Sequence, residues 1–261
     1  MLNYHLLINF LKNLIKKNYF SIIVKKVIKR FEKNTSVEAK KWSVSKTRQT
    51  TEEFCRSIDS SLYDEVKDDI KFIERDAQNK LSTLNVSLGG GGNYPLLYFL
   101  IRKINPNNIV ETGVAAGWTS LVALRALKKN GKGYLYSSDF PYFRLKNPEQ
   151  YIGYLAKDEK NIANWYLDIR GDEVALPEIV RRLGNQNIDL FHYDSDKSYS
   201  GRANALKILG SKINSKTVII FDDIQDNLHF KDFVNNNHHS YCTLKFENKF
   251  IGISGYDFLL L

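Results

Sequence analysis

Cysteine is nearly absent from the sequence: Cys55 and Cys242 are the only two, and they form no CxxC spacing. A disulfide framework and a thiolate zinc site are thereby excluded, and a reducing compartment is the expectation. Both are read as small, half-buried apolar side chains. Uninterrupted apolar stretches are missing as well. Residues 2–31 are rich in Leu, Ile and Phe, but Lys12, Lys16 and Lys17 break them well short of the ~20 residues a membrane-spanning helix needs. The same lysines, with no small-residue cleavage site after them, argue against a removed secretion signal and for a cytoplasmic chain that keeps this segment. The GxGxxG turn of dinucleotide-binding proteins is also lacking, which sets a nicotinamide-dependent oxidoreductase aside.

What is present is a globular composition, 43% hydrophobic and 26% charged over 261 residues. That predicts one large domain with an accessory segment. The formal charge of +9 is unevenly placed. Residues 1–50 hold twelve Lys and Arg against Glu32 and Glu38, whereas the remaining 211 residues carry 26 basic against 27 acidic side chains. A nucleic-acid reader carries its basic stripe on the recognition domain, so nucleic acid is not expected as a partner. Residues 1–50 form a basic amphipathic segment. Its first 31 residues either dock on the rest of the chain or on a second copy of it, or lie on the anionic inner face of a membrane.

Residues 51–92 are a helical accessory region and a glycine-rich linker. Phe54, Ile58, Leu62, Val66, Ile70, Ile73, Ala77 and Leu81 recur every three or four positions, which predicts a helix with one buried face, N-capped at Thr51 and favoured by Glu52 and Glu53 in its first turn. Gly89 to Gly92 end it, as a flap over a pocket or a plain linker, and Pro95 opens the next helix. From residue 93 to 261, strand-length apolar runs alternate with helical stretches: 108–113, 133–139, 165–172, 187–196 and 216–224, then 241–246 and 250–256 as a hairpin. The pattern predicts an α/β fold, a mostly parallel seven-stranded sheet covered on both faces, with an antiparallel hairpin at one edge.

In such sheets ligands bind beyond the carboxyl ends of the strands. The first run ends Glu111-Thr112-Gly113-Val114-Ala115-Ala116-Gly117, with Trp118, Thr119 and Ser120 opening a helix. Asp139 ends the second run, 22 residues beyond Gly117, and Gly171-Asp172 ends the third. The acid, x, Gly, three residues, Gly pattern resembles the first motif of the class I S-adenosylmethionine-dependent methyltransferases, over about residues 93–261. The resemblance implies the Rossmann-like methyltransferase fold, with Gly113, Gly117 and Ser120 at the methionine part of the cofactor and Glu111 near its amino group. It also implies Asp139 on the ribose, and Gly171 and Asp172 at the adenine.

The fourth run ends Asp194-Ser195-Asp196-Lys197 and the fifth Asp222-Asp223. These endings resemble the metal-dependent O-methyltransferases of the catechol and caffeoyl-coenzyme A type, and also those of the sugar and macrolide type. The resemblance implies Asp194, Asp222 and Asp223 as ligands of a divalent cation such as Mg²⁺, with Asp194 also near the cofactor and Lys197 as the catalytic base. Asp223 stands where the first type has Asn, and Lys197 where the second has His, which leaves the subclass open. Trp118, Phe140, Tyr142 and Phe143 line an acceptor pocket or belong to the core. His192 is read as a buried strand histidine; His229 is within reach of the site, and His238 and His239 lie beyond the fifth run. The expected function is O-methylation of a small-molecule, sugar or glycan hydroxyl with divalent-ion assistance. A metal-free methyltransferase and an inactive cofactor-binding module are the alternatives.

Overall fold

The computed structural model of the chain describes residues 4–14, 20, 32, 34–159, 164–237 and 240–255. Helix α1 (Tyr4–Leu14) and helix α2 (Ser36–Lys46) precede a two-residue strand, β1 (Gln49–Thr50), and the long α3 (Thr51–Ser82). There follow α4 (Tyr94–Ile104), β2 (Asn108–Thr112), α5 (Trp118–Asn130), β3 (Tyr134–Ser138) and β4 (Trp165–Asp168). Next come α6 (Asp172–Leu183), β5 (Leu190–Tyr193), α7 (Tyr199–Leu209) and β6 (Val218–Phe221). Helix α8 (His229–Asn236) and the hairpin β7 (Tyr241–Phe246) and β8 (Lys249–Ser254) complete the order.

Local chemistry explains the starts of the helices. Helix α3 opens on a capping box in which the Thr50 hydroxyl accepts from the Glu53 amide and the Glu53 carboxylate accepts from the Thr50 amide. The cap is Thr50 and not the expected Thr51, because Thr50 is still extended as the last residue of β1. The helix kinks at Asp59, whose carboxylate accepts from the Leu62 amide and so caps the second section. Asn93 caps α4 by accepting from Leu96, with Pro95 in the first turn.

The sheet runs β1-β7-β8-β6-β5-β2-β3-β4. From β6 to β4 the pairs are parallel, and β8 is antiparallel to both β6 and β7. Strands β2, β5 and β6 are buried along their whole length, which is why they read as continuous apolar runs. Two details correct the sequence reading. The sheet has eight strands, since β1 pairs in parallel with β7 through Gln49 and Leu244. The hairpin therefore is not outermost, because β1 covers part of β7. Two residues have no period by which a strand could be foreseen. One hydrophobic cluster packs α3, α4 and α5 on one face of the sheet, and a second packs α6, α7 and α8 on the other.

The described part of the leader docks on the chain itself. Asn13 is buried, and its side-chain amide donates to the carbonyls of Phe143 at 2.8 Å and Leu145 at 3.1 Å. Glu32 accepts from the Tyr199 amide at the start of α7. Trp42 of α2 stacks on Tyr241, with ring centres 5.8 Å apart. Residues 1–3 and most of 15–31, on which the other expectations for the leader fall, lie outside the described residues. No helix among the described residues is long and apolar enough to cross a membrane.

His229, expected within reach of the site, is buried in an aromatic cluster instead. Its ring meets Tyr199 edge-on at 5.1 Å and stacks with Phe233 at 6.3 Å. Burial, and then the charge of Arg202, hold its pKa down to about 4. The folded chain keeps this histidine neutral, while the unfolded chain protonates it near its ordinary ~6.5. Its contribution to stability is therefore full above that value and is lost as pH falls towards 4, by up to about 3 kcal/mol. His229→Phe should lose less thermal stability than the wild type between pH 7 and pH 5. Parallel losses would show that another group titrates. His238 and His239 lie outside the described residues.

Candidate active site

The carboxyl ends of β4, β3, β2, β5 and β6, neighbours in the sheet, gather the predicted residues along one rim. Beyond β2 the chain turns at Gly113, whose φ of 84° belongs to the left-handed region. A Cβ there would overlap the carbonyl oxygen of Asp194, so only glycine lets β2 leave the sheet beside β5. The Gly113 amide donates to Ser138 O at 2.8 Å, which ties the turn to β3. Gly117 closes the turn against Gly153.

Glu111 is buried beneath this turn. Its carboxylate accepts from the hydroxyls of Thr119, Ser120 at 2.6 Å and Ser137 at 2.8 Å. Glu111 and Ser120 thus anchor the first turn of α5 to the sheet, a task the sequence reading did not assign them.

Asp139, half-buried at the end of β3, accepts from the amides of Ala115 and Phe140, both at 2.5 Å. Its carboxylate therefore stands beside the glycine turn. Gly171 backs directly onto the Phe140 ring and its amide donates to Asp139 O at 3.1 Å. Asp172 accepts from Ser138 and Ser195, both at 2.5 Å, and so links the ends of β3 and β5. A left-handed turn of mainly small residues, a carboxylate beside it and an aromatic ring next to Gly171 fit a nucleoside carrying an amino-acid tail.

The second half of the rim is acidic. Lys197 pairs with Asp194, and with Asp223 at 2.5 Å. Burial works against the Lys197 ammonium, but the charges of Asp194 and Asp223 outweigh it and hold its pKa above the ordinary lysine range. Burial, then the charge of Asp222, push Asp194 up to about 6 in spite of Lys197. Burial also raises Asp223, yet Lys197 prevails there and its pKa lies below the usual carboxylate value.

Asp222 is fully buried, with Oδ1 3.4 Å from His192 Nε2 and Oδ2 without a partner among the described residues. The donor chemistry suits a hard cation, but the arrangement does not. Asp194 and Asp223 turn to Lys197 while Asp222 turns to His192, and among the described residues no three acid, His or Cys side chains are placed to hold an ion together.

Two features went unforeseen. The glycine linker is docked: Tyr142 donates to Leu88 O at 2.9 Å, Lys249 donates to Gly91 O at 3.3 Å, and Gly91 presses on Trp118. At Gly92 a Cβ would stand 2.5 Å from Asp222 Oδ2, so the bare main chain lies directly against this carboxylate. Composition marked these glycines but not what they touch. The other feature is Arg202, buried behind Asp222 and Asp223.

The fold is the Rossmann-like one of methyltransferases of known structure. Residues 110–224 match the model of a family described as a methyltransferase domain. No curated protein matches the sequence. Among solved structures, an O-methyltransferase from Bacillus cereus in complex with SAH is similar at 14% identity and TM-score 0.53, covering 70% of this chain and 90% of that one. The O-methyltransferase from Streptomyces achromogenes involved in tomaymycin synthesis, in complex with SAM, is similar at 14% identity and TM-score 0.55, over 70% and 88%. An SAH-bound methyltransferase from Podospora anserina is similar at 11% identity and TM-score 0.53, over 71% and 88%. At these identities the likeness is one of fold.

Proposed function

We propose that the chain is an S-adenosylmethionine-dependent O-methyltransferase acting on a hydroxyl of a small molecule or of a sugar or glycan unit. The observation that supports it most is the single rim on which a nucleoside-compatible turn with Asp139 meets an acid-lysine cluster. The cofactor, when bound, supplies an electrophilic methyl group. Asp139 would hold the ribose hydroxyls, the turn from Gly113 to Gly117 the methionine part, and Phe140, Gly171 and Asp172 the adenine. Lys197, fixed by Asp194 and Asp223, would orient the acceptor oxygen, and the Gly91–Gly92 main chain with Trp118 would keep water from the reacting atoms. The base role read from the sequence requires Lys197 to lose its proton, which its two acidic partners oppose.

A divalent cation is a second reading. The partnerless Oδ2 of Asp222 favours it, and the closure of Asp194 and Asp223 on Lys197 opposes it.

A thermal-shift panel crossing S-adenosylmethionine, S-adenosylhomocysteine and NAD with Mg²⁺ and EDTA tests both. The methyltransferase reading expects stabilisation by the first two and none by NAD. The cation reading expects a further rise with Mg²⁺ that EDTA removes. Asp139→Ala should weaken S-adenosylhomocysteine binding by ~1–3 kcal/mol through lost charged hydrogen bonds, and unchanged affinity by calorimetry would refute its role. Tight cofactor binding with no methyl transfer to a panel of catechols and sugars would leave an inactive binding module.

A further inference from the structure

Among the described residues Arg202, on α7, is the largest side chain that the fold buries completely, and nothing in the proposed chemistry uses it. It lies on the buried stripe of its helix with Gly201, Ala205 and Leu209, a place where an apolar residue is the norm. Its Nη2 donates to Asp222 O at 2.9 Å and to Asp223 O at 2.8 Å. Nε and Nη1 are buried without a partner among the described residues. Holding a permanently charged guanidinium out of water is costly unless opposite charge stands near. Burial prevails at Arg202 and draws its pKa below the ordinary arginine range, opposed only in part by Tyr193 and by the charges of Asp226, Asp223 and Asp194.

The two carbonyls that Arg202 grips belong to successive residues. In an extended strand such carbonyls point to opposite sides, so one donor reaches both only where the chain has turned. That turn is present: Asp223 has a φ of 54°, in the left-handed region that residues with a Cβ seldom enter. The same turn parts the two acids. Asp222 stays beside His192, and Asp223 is delivered to Lys197.

We infer that Arg202 is a positioning residue for methyl transfer, locking the Asp222–Asp223 turn so that Asp223 and Asp194 hold Lys197 at the acceptor side of the site. The inference rests on the methyltransferase reading, but its central claim is about the turn. Arg202 acts through these groups and touches neither cofactor nor acceptor.

The test compares wild type, Arg202→Met and Arg202→Lys by amide hydrogen exchange, S-adenosylhomocysteine calorimetry and transfer from labelled S-adenosylmethionine to 3,4-dihydroxybenzoate and a sugar panel. In Arg202→Met the amides of Ile224 and Asp226, which bond to Phe250 O and Asp223 O, should exchange at least about tenfold faster while β2 and β5 stay protected. Affinity for S-adenosylhomocysteine should hold, and kcat should fall on the order of 10²-fold without a matching change in KM for S-adenosylmethionine. Arg202→Lys should restore protection and turnover together. Should Arg202→Met fail to fold, Arg202→Gln, which keeps a donor without the charge, carries the same comparison. Unchanged exchange at 222–226, or faster exchange spread over the whole sheet, overturns the assignment. A wild type that binds S-adenosylhomocysteine but methylates no probe counts instead against the methyltransferase reading, and with it against a role for Arg202 in transfer.

Discussion

Alanine at position 113 should abolish S-adenosylhomocysteine binding and lower the thermal midpoint by roughly 10 °C. Two costs add at this position. The left-handed conformation costs a residue with a Cβ about 1–2 kcal/mol, and crowding into packed surroundings costs about 1–3 kcal/mol more. The crowding is with main chain, which cannot rotate aside: the new Cβ would overlap Asp194 O and stand 2.8 Å from the Ser195 amide. Nor can the turn retreat, because the Gly113 amide is bonded to Ser138 O and the Asp194 amide to Thr112 O. Any shift therefore reaches the ends of β3 and β5 together, and with them both halves of the site. Gly131 is the control. It too is left-handed, with a φ of 73°, but a Cβ there meets nothing within 4 Å, so Gly131→Ala should bear the conformational cost alone. Scanning calorimetry and ligand titration separate the two variants. A folded Gly113→Ala that binds S-adenosylhomocysteine normally would take the turn out of the cofactor site.

Lys197→Met should lower turnover on the order of 10²-fold, through lost orientation of the acceptor oxygen, while leaving affinity for S-adenosylhomocysteine intact. The lysine is joined to Asp194 and Asp223, whereas the nucleoside-compatible residues stand at the ends of β2, β3 and β4. Breaking a fully buried ion pair costs about 3–5 kcal/mol when the remaining charge has no escape, but the Lys197 side chain is 36% exposed. Asp194 also has an escape, since its pKa is already raised to about 6 and it can take up a proton once the ammonium is gone. The stability loss should therefore stay below that range, which keeps the variant measurable. Transfer of labelled methyl to any acceptor the wild type uses is the readout, and near-normal turnover would eliminate Lys197.

Much of this architecture could be read before any coordinate. The buried parallel strands betray themselves because both of their faces are apolar, and β7 begins and ends where the run from 241 to 246 predicts, at Tyr241 and Phe246. The acids at the strand ends are visible because charge interrupts those runs where the chain leaves the sheet. What stayed hidden depends on partners distant in sequence. Pairing of Gln49 with Leu244 leaves no periodic trace. Four glycines in a row say that the backbone is permissive, and not that it is pressed on Trp118 and Asp222. Arg202 sits in an otherwise ordinary helical stretch, where an arginine suggests solvent, and only the carbonyls turned towards it by Asp223 explain its burial. Two adjacent aspartates likewise look interchangeable until the sign of one φ angle sends them to different neighbours.

Strand β1 bears on how separate molecules of this protein behave. An uncovered strand flank presents unpaired amides and carbonyls to any similar flank it meets. Gln49 and Thr50 occupy that flank of β7 at Leu244 and Lys245, with Thr47 Oγ1 bonded to Thr243 Oγ1 at 3.2 Å beside them. A chain trimmed back to the part that resembles methyltransferases of known structure would expose this strip. The leader thus helps keep one copy from being stitched to the next.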